Sequence, residues 1–444
     1  MTDGNTSSGF AACWSIKQNL RSLLSRDQSS FQVLDGLRFF SFIWILLFHT
    51  LYIYGLMHGV DTIFQVTDSA PFYLWWMWNA DKAVDLFFVI SGFLISVILL
   101  KELERDGTIL VRRFYFRRYM RLTPLYLVFL ALYWLANGPN REYVWTNLLY
   151  VNNFLPLDKM ALQWTWSLAV EEQFYLLLPL FFVLVYKISG QPFLRFLLGL
   201  LVISFLIRLG VLYYYDELWT SGYRDMLAHP ETAKVFYPKM YDNLATRFGP
   251  FICGALAAYG YCHHRAALVD WLSCSPLRSV GINMVAVVAL VFFACFPILN
   301  SSFEQSGPLL HAYIVLNHSV FSAGLAWLML SAILHRDNRG FIAAFLSWRI
   351  WQPLSQLTYS MYLIHFLVVL SIIKSVELNL EILAGMSGPT LLWTTIALTA
   401  SISLLLCIIF GIVSWVLVEK PFLNMRKLFS VNRGSASAAP IPNN

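Results

Sequence analysis

Apolar residues in this chain fall into long uninterrupted runs separated by short polar segments, with no strict alternation between the two. Ten runs stand out, at 39–57, 83–100, 122–137, 161–186, 193–215, 244–262, 280–299, 309–334, 352–374 and 389–418. A helix needs about 20 apolar residues to cross the hydrocarbon core of a bilayer, and most of these runs qualify; the third is short. A transmembrane barrel would show shorter, alternating segments. In lipid every backbone polar group must be satisfied within its own segment. The pattern therefore predicts an all-α fold, a polytopic transmembrane helical bundle of about ten spans.

Composition agrees. The chain is 58% hydrophobic and 13% charged, where a soluble domain carries roughly 25% charge. Residues 1–30 are polar and lack a basic-then-apolar start, so no cleavable signal peptide is expected and the first span inserts the chain. The six cysteines contain no Cys-x-x-Cys pair. They point to no metal site and no disulfide framework.

Charge orients the bundle. With residue 1 inside, most of the 31 lysines and arginines fall on the cytoplasmic side, seven of them between Lys101 and Arg121. The outer segments hold acidic residues instead, among them Asp61, Asp68, Asp81, Asp216, Asp225, Asp242 and Glu304. This is the positive-inside asymmetry, and it places both termini in the cytoplasm. It also accounts for the net charge of +6 without a nucleic-acid partner. Residues 1–33 form a cytoplasmic segment in which 10–24 suit a helix lying on the inner membrane surface. Residues 34–422 form the membrane domain. Residues 423–444 form a short tail, small and polar from Ser430 and expected to be disordered.

Ionisable residues at membrane depth are costly and mark function. His49, Glu171, Glu172 and His365 fall near the midplane of their spans, and Asp85 nearer the outer edge. At about 100° per residue, Arg38 and His49, eleven positions apart, share one helix face, roughly 16 Å apart along it. One face thus joins a cation at the cytoplasmic edge to an imidazole in mid-membrane. In Val111–Arg121, Arg113, Arg117 and Arg121 form a ladder, and Arg118 and Arg121 a tighter pair. Arginine forks bind phosphate in bidentate fashion; the plainer reading is that they set topology and touch anionic headgroups. Asp85 follows Lys82 by three residues, which suits a local ion pair. Trp75, Trp76 and Trp78 suit an interfacial belt or a platform for a sugar ring. His365 suits either a structural or a functional role, and only one of Glu171 and Glu172 is expected to face His49.

These residues fall in motifs that resemble the acyltransferase-3 family of membrane acyltransferases, which includes bacterial polysaccharide O-acetyltransferases. Leu34–His49 is similar to its Arg/Lys-x10-His signature through Arg38 and His49. Val84–Ser96 resembles its Phe-Phe-x-x-Ser-Gly motif through Phe87, Phe88, Ser91 and Gly92. Phe116–Tyr126 resembles its Arg-x-x-Arg segment through Arg118 and Arg121. Trp164–Leu180, Leu357–His365 and Glu419–Phe422 resemble its three later elements. The likeness covers Leu34 to Phe422. It departs after His365, where Phe366 and Leu367 replace the usual Trp-Pro.

The resemblance implies transfer of a short acyl group, most often acetyl from acetyl-CoA, to a hydroxyl of an envelope glycan at a bacterial inner membrane. It implies that Arg118, Arg121 and Arg38 hold the donor phosphates, and that His49 acts as base or carries the acyl group. Glu171 or Glu172 would orient His49. Ser91, Asp85, Trp164, Tyr362 and His365 become supporting or substrate-binding candidates, with no metal. A small secondary metabolite as acceptor, or a proton-coupled transporter, are the rival readings. Oligomeric state is not encoded in any motif.

Overall fold

A computed structural model describes residues 12–25, 31–189, 193–301, 307–334, 340–378 and 388–431. Among the described residues there is no strand. The helices used below are numbered in chain order: α1 Ile16–Leu24, α2 Val33–His58, α3 Val60–Ser69, α4 Asp81–Asp106, α5 Val111–Leu135, α6 Trp166–Ser189, α7 Phe193–Tyr214, α8 Gly249–His263, α9 Pro276–Ala294, α10 Pro308–Leu334, α11 Trp351–Leu378, α12 Gly388–Ser414 and α13 Lys420–Val431.

A long helix answers to each of the ten predicted runs. Eight stretches of the described chain are long and apolar enough to cross a membrane. The third and sixth runs differ. Helix α5 starts at Val111 and carries the arginine ladder in its first eleven residues, so its composition is mixed. Helix α8 has 15 residues, about 22 Å of rise against a core of roughly 30 Å. It survives because the bundle rather than lipid surrounds it: Phe251, Ile252, Ala255 and Ala258 are fully or almost fully buried.

Local signals set the helix ends. Pro276 and Pro308 open α9 and α10 at first-turn positions, where a missing N–H costs nothing. Gly107 ends α4 in the left-handed region (φ 65°), its N–H closing on the Leu103 carbonyl at 2.9 Å. Pro124 and Pro179 lie inside α5 and α6, as spanning helices tolerate.

Helix α4 is the central post, with 72% of its apolar window buried, against 11% for α9 at the periphery. It lies backbone to backbone on α8. A Cβ on Gly92 would sit 2.1 Å from the Phe251 carbonyl oxygen, and one on Gly254 would sit 2.1 Å from that of Val89. Small residues permit such contact where apolar burial gives helices little reason to associate. Helix α2 packs on α4 and on α11, and α12 backs α11.

Helix α1 presents Ile16, Leu20 and Leu24 outward. Its other face is held by Asn19, which donates to the Val416 carbonyl (3.1 Å) and accepts from Asn424 (3.1 Å). The first and last described helices therefore meet at one end of the bundle. Helix α13 continues to Val431; the expected disorder of the tail beyond it, and the charges Arg26, Arg336, Arg339, Arg433 and Glu304, lie outside the described residues.

The Gly92–Gly254 contact makes a direct prediction. Gly92→Leu forces α4 and α8 apart and should destabilise the fold by at least the ~1–3 kcal/mol of ordinary overpacking. The detergent-purified variant should melt lower or elute as aggregate, while Gly199→Leu, in open space on α7, should not.

Candidate active site

Helix α2 brings His49 and helix α11 brings His365 to one point. His49 Nδ1 and His365 Nε2 lie 2.9 Å apart, and the rings sit 4.8 Å centre to centre. The second nitrogen of His365, Nδ1, lies 2.5 Å from the Tyr362 carbonyl oxygen. A carbonyl can only accept, so His365 Nδ1 carries a proton and, in the neutral ring, Nε2 accepts. His49 Nδ1–H is then the donor to it, and His49 Nε2 keeps its lone pair. The Tyr362 carbonyl thereby fixes the tautomer of His365, and the His49 ring is held by His365 and by the Ile45 backbone carbonyl.

The surroundings hold this chain in place. His365 is fully buried, with Phe42 edge-on at 6.0 Å. The Tyr362 hydroxyl donates to the Trp164 carbonyl (2.5 Å) and shares a bond with Ser167 (2.7 Å). Trp164 Nε1 donates to the Leu363 carbonyl (3.0 Å). Helix α11 runs unbroken through the position where the family motif departs, and Phe366 stacks on Trp164 at 4.6 Å.

His49 opens on a cavity of about 220 Å³ whose walls include Tyr52, Trp164, Trp166, Tyr241, Asp81 and Asp242. Of the three neighbouring tryptophans only Trp78 reaches it. Trp76 instead receives the Trp44 indole N–H on its carbonyl (2.7 Å), and Trp75 donates to Ala70 (3.1 Å).

A second cavity, of about 690 Å³, lies at the end where α1 and α13 meet. Arg38, Arg121, Lys420 and Arg426 line it with Gln352, Gln356 and Glu419. Glu419 reaches it from a π-helical turn at Trp415–Glu419 that follows α12. Arg38 and His49 thus lie on one helix but face different cavities. Phe42 and Ile45, on the same face between them, are buried.

The family comparison can be set against this geometry. The profile described as "Acyltransferase domain", acyltransferase-3, matches residues 31–414. The chain belongs to the acyltransferase-3 family. Similar curated proteins include "Nose resistant to fluoxetine protein 6" of Caenorhabditis elegans, 27% identical over 401 residues, 80% of this chain and 47% of the relative. "Regulator of hypoxia-inducible factor 1" of the same organism is 24% identical over 310 residues, covering 62% and 60%. "Peptidoglycan O-acetyltransferase OatA" of Listeria monocytogenes is 24% identical over 317 residues, covering 66% and 46%. The chain thus spans about half the length of the curated relatives it matches. No solved structure matches it.

In this acyltransferase-3 chain three expectations from the sequence change. No carboxylate bonds to His49 among the described residues; the side chain that bonds to it is His365. Glu171 lies apart from His49, where it accepts from the hydroxyls of Ser91 and Tyr175 and faces the charge of Arg38. Glu172 turns instead toward Tyr126, Tyr150 and Tyr359, with the charge of Arg118 also near it. The helical offset of about 100° between neighbours separates the two glutamates, but helix packing aims neither at the histidine.

The second change concerns Arg118. Its guanidinium stacks on the Tyr175 ring at 3.8 Å and does not line the basic cavity, whereas Arg121 does. The third concerns Asp85. Lys82 bonds to Asp81 at 2.6 Å, not to Asp85. Asp85 accepts from His318 Nδ1 at 2.6 Å, with Arg247 at 3.5 Å. His318 and Arg247, both buried, were not legible as site residues. His318 was one more histidine in an apolar run, and Arg247 stood at the edge of one.

His365→Phe keeps the ring volume but removes the acceptor that fixes His49. Loss of the correct tautomer and orientation should lower acyl transfer by on the order of 10²–10⁴-fold. Transfer from radiolabelled acetyl-CoA, measured on membranes containing equal amounts of folded protein, checks this.

Proposed function

We propose that this protein is a membrane O-acyltransferase that moves a short acyl group, acetyl in the first instance, from acyl-CoA to a hydroxyl of a glycan, in a bacterial cytoplasmic membrane. The observation that carries the reading is the Tyr362–His365–His49 chain, which leaves one imidazole nitrogen free beside a cavity while a basic cavity opens farther along the same helix. The name of the Listeria relative, a peptidoglycan O-acetyltransferase, supports O-acetyl transfer to an envelope polymer, and the positive-inside asymmetry supports a cytoplasmic position for the basic cavity.

Arg38 and Arg121, with Lys420 and Arg426 in the wall, suit the phosphates of coenzyme A. The pantetheine arm then runs along the Arg38–His49 face and displaces Phe42 and Ile45, which fill that stretch. At His49 the acceptor hydroxyl gives its proton to Nε2 as its oxygen attacks the thioester carbonyl. The new C–O bond forms, the C–S bond breaks, and His49 returns the proton to the departing sulfur. The same lone pair also suits His49 to carry the acyl group itself between donor and acceptor. Glu171, bound by the Ser91 and Tyr175 hydroxyls near Arg38, holds the arginine side of the site in register.

The test is acetyl-CoA-dependent transfer on membranes. His49→Ala should lose activity to background; full activity in a folded variant would end the reading. Arg121→Ala removes charge-assisted hydrogen bonds worth about 1.5–3 kcal/mol each. It should raise the KM for acetyl-CoA roughly ten- to a hundredfold with a much smaller change in kcat, as initial-rate kinetics would show.

A further inference from the structure

Asp242 is fully buried and lines the same cavity as His49. Among the described residues neither of its carboxyl oxygens has a hydrogen-bond partner. Such a group costs free energy in the folded protein, and unsatisfied buried polar groups in native structures call for an explanation. Its backbone, by contrast, is fully engaged: the N–H donates to Tyr237 (2.8 Å) and the carbonyl accepts from Asn153 (3.0 Å). The residue is therefore held in place while its carboxyl is left over. Burial also pushes that carboxyl well above the usual carboxylate range, with Arg247 opposing.

The wall around it favours a neutral partner. The Arg247 guanidinium already lies over the Trp166 and Tyr241 rings, at 5.2 and 5.3 Å, and a second cation there would be repelled. Aromatic rings beside hydrogen-bonding groups in the cavity wall suit a hydroxyl-bearing ring. The cavity, about 220 Å³, is smaller than the ~300–1,000 Å³ that hold drug-sized ligands, which admits one ring at a time.

Resting on the acyltransfer reading above, we propose that Asp242 anchors a hydroxyl of a neutral, sugar-ring-sized acceptor and so selects which neighbouring hydroxyl meets His49. Asp242 is a positioning and specificity residue, and the acceptor enters as a single ring, whether free or at the end of a glycan.

The experiment does not require the acceptor to be known. Source cells lacking their own copy are complemented with the full-length protein or with Asp242→Asn or His49→Ala, and fed radiolabelled acetate. Mild alkali releases acetyl esters but leaves amides. We expect the protein-dependent label to be alkali-labile and to fall at least fivefold in Asp242→Asn. We also expect the purified Asp242→Asn protein to melt at the same temperature as the parent or higher, because an unpartnered carboxyl has been removed. A smaller loss of label would overturn the proposal, as would a lower melting temperature, which would make Asp242 a structural partner. Alkali-stable label would overturn the hydroxyl class. Undiminished label in His49→Ala would instead sink the underlying reading, so the two failures are distinguishable.

Discussion

The geometry of the candidate site turns on one backbone carbonyl, that of Tyr362. Because it can only accept, it decides which nitrogen of His365 bears the proton, and through the 2.9 Å contact which nitrogen of His49 is free. In the proposed reaction His365 takes the place of a triad's third member, a neutral ring instead of a carboxylate. In an apolar bundle this has a physical rationale. A buried carboxylate needs several partners to offset its desolvation, whereas an imidazole needs one acceptor and one donor, both available from helices already packed together.

Several of the charged groups that the bundle buries are partnered with one another. Lys82 with Asp81, and Asp85 with His318 and Arg247, neutralise charge between α4, α10 and the short segment that precedes α8. Arg208 directs its guanidinium to the carbonyls of Ile314 and Thr246, the latter at 2.8 Å. These contacts lock peripheral helices onto the central post that the Gly92–Gly254 approach defines. The glycine of the Phe-Phe-x-x-Ser-Gly motif thereby has a packing reason, and its serine an electrostatic one, since Ser91 donates to Glu171. Motif residues that look like a single catalytic set divide between holding helices and holding charges.

The two cavities divide the site by chemistry. One is large and arginine-lined, at the end where the terminal helices meet; the other is small, aromatic and acidic. Helix α2 is the only element that supplies both an arginine of the first and the histidine of the second among the residues described here. That explains why an eleven-residue spacing within one helix carries so much of the functional signal.

Much was legible in the sequence because lipid is a strict solvent. Apolar run length set the helices, basic residues marked one end, and helical periodicity put Arg38 and His49 on one face; each is local and survives without knowing what packs on what. Even so, the third and sixth runs needed the bundle to explain them, since α8 is too short for lipid but well buried in protein. Which side chains meet across helices was not local at all. His365 rather than Glu171 or Glu172 reaches His49, Arg118 turns to Tyr175, and Asp85 finds His318 more than two hundred residues away. Periodicity fixes direction around one axis, but rotation and depth relative to a neighbouring helix come from packing. That is why the sequence by itself determined the spans and the candidate histidine, and only the tertiary structure decided its partner.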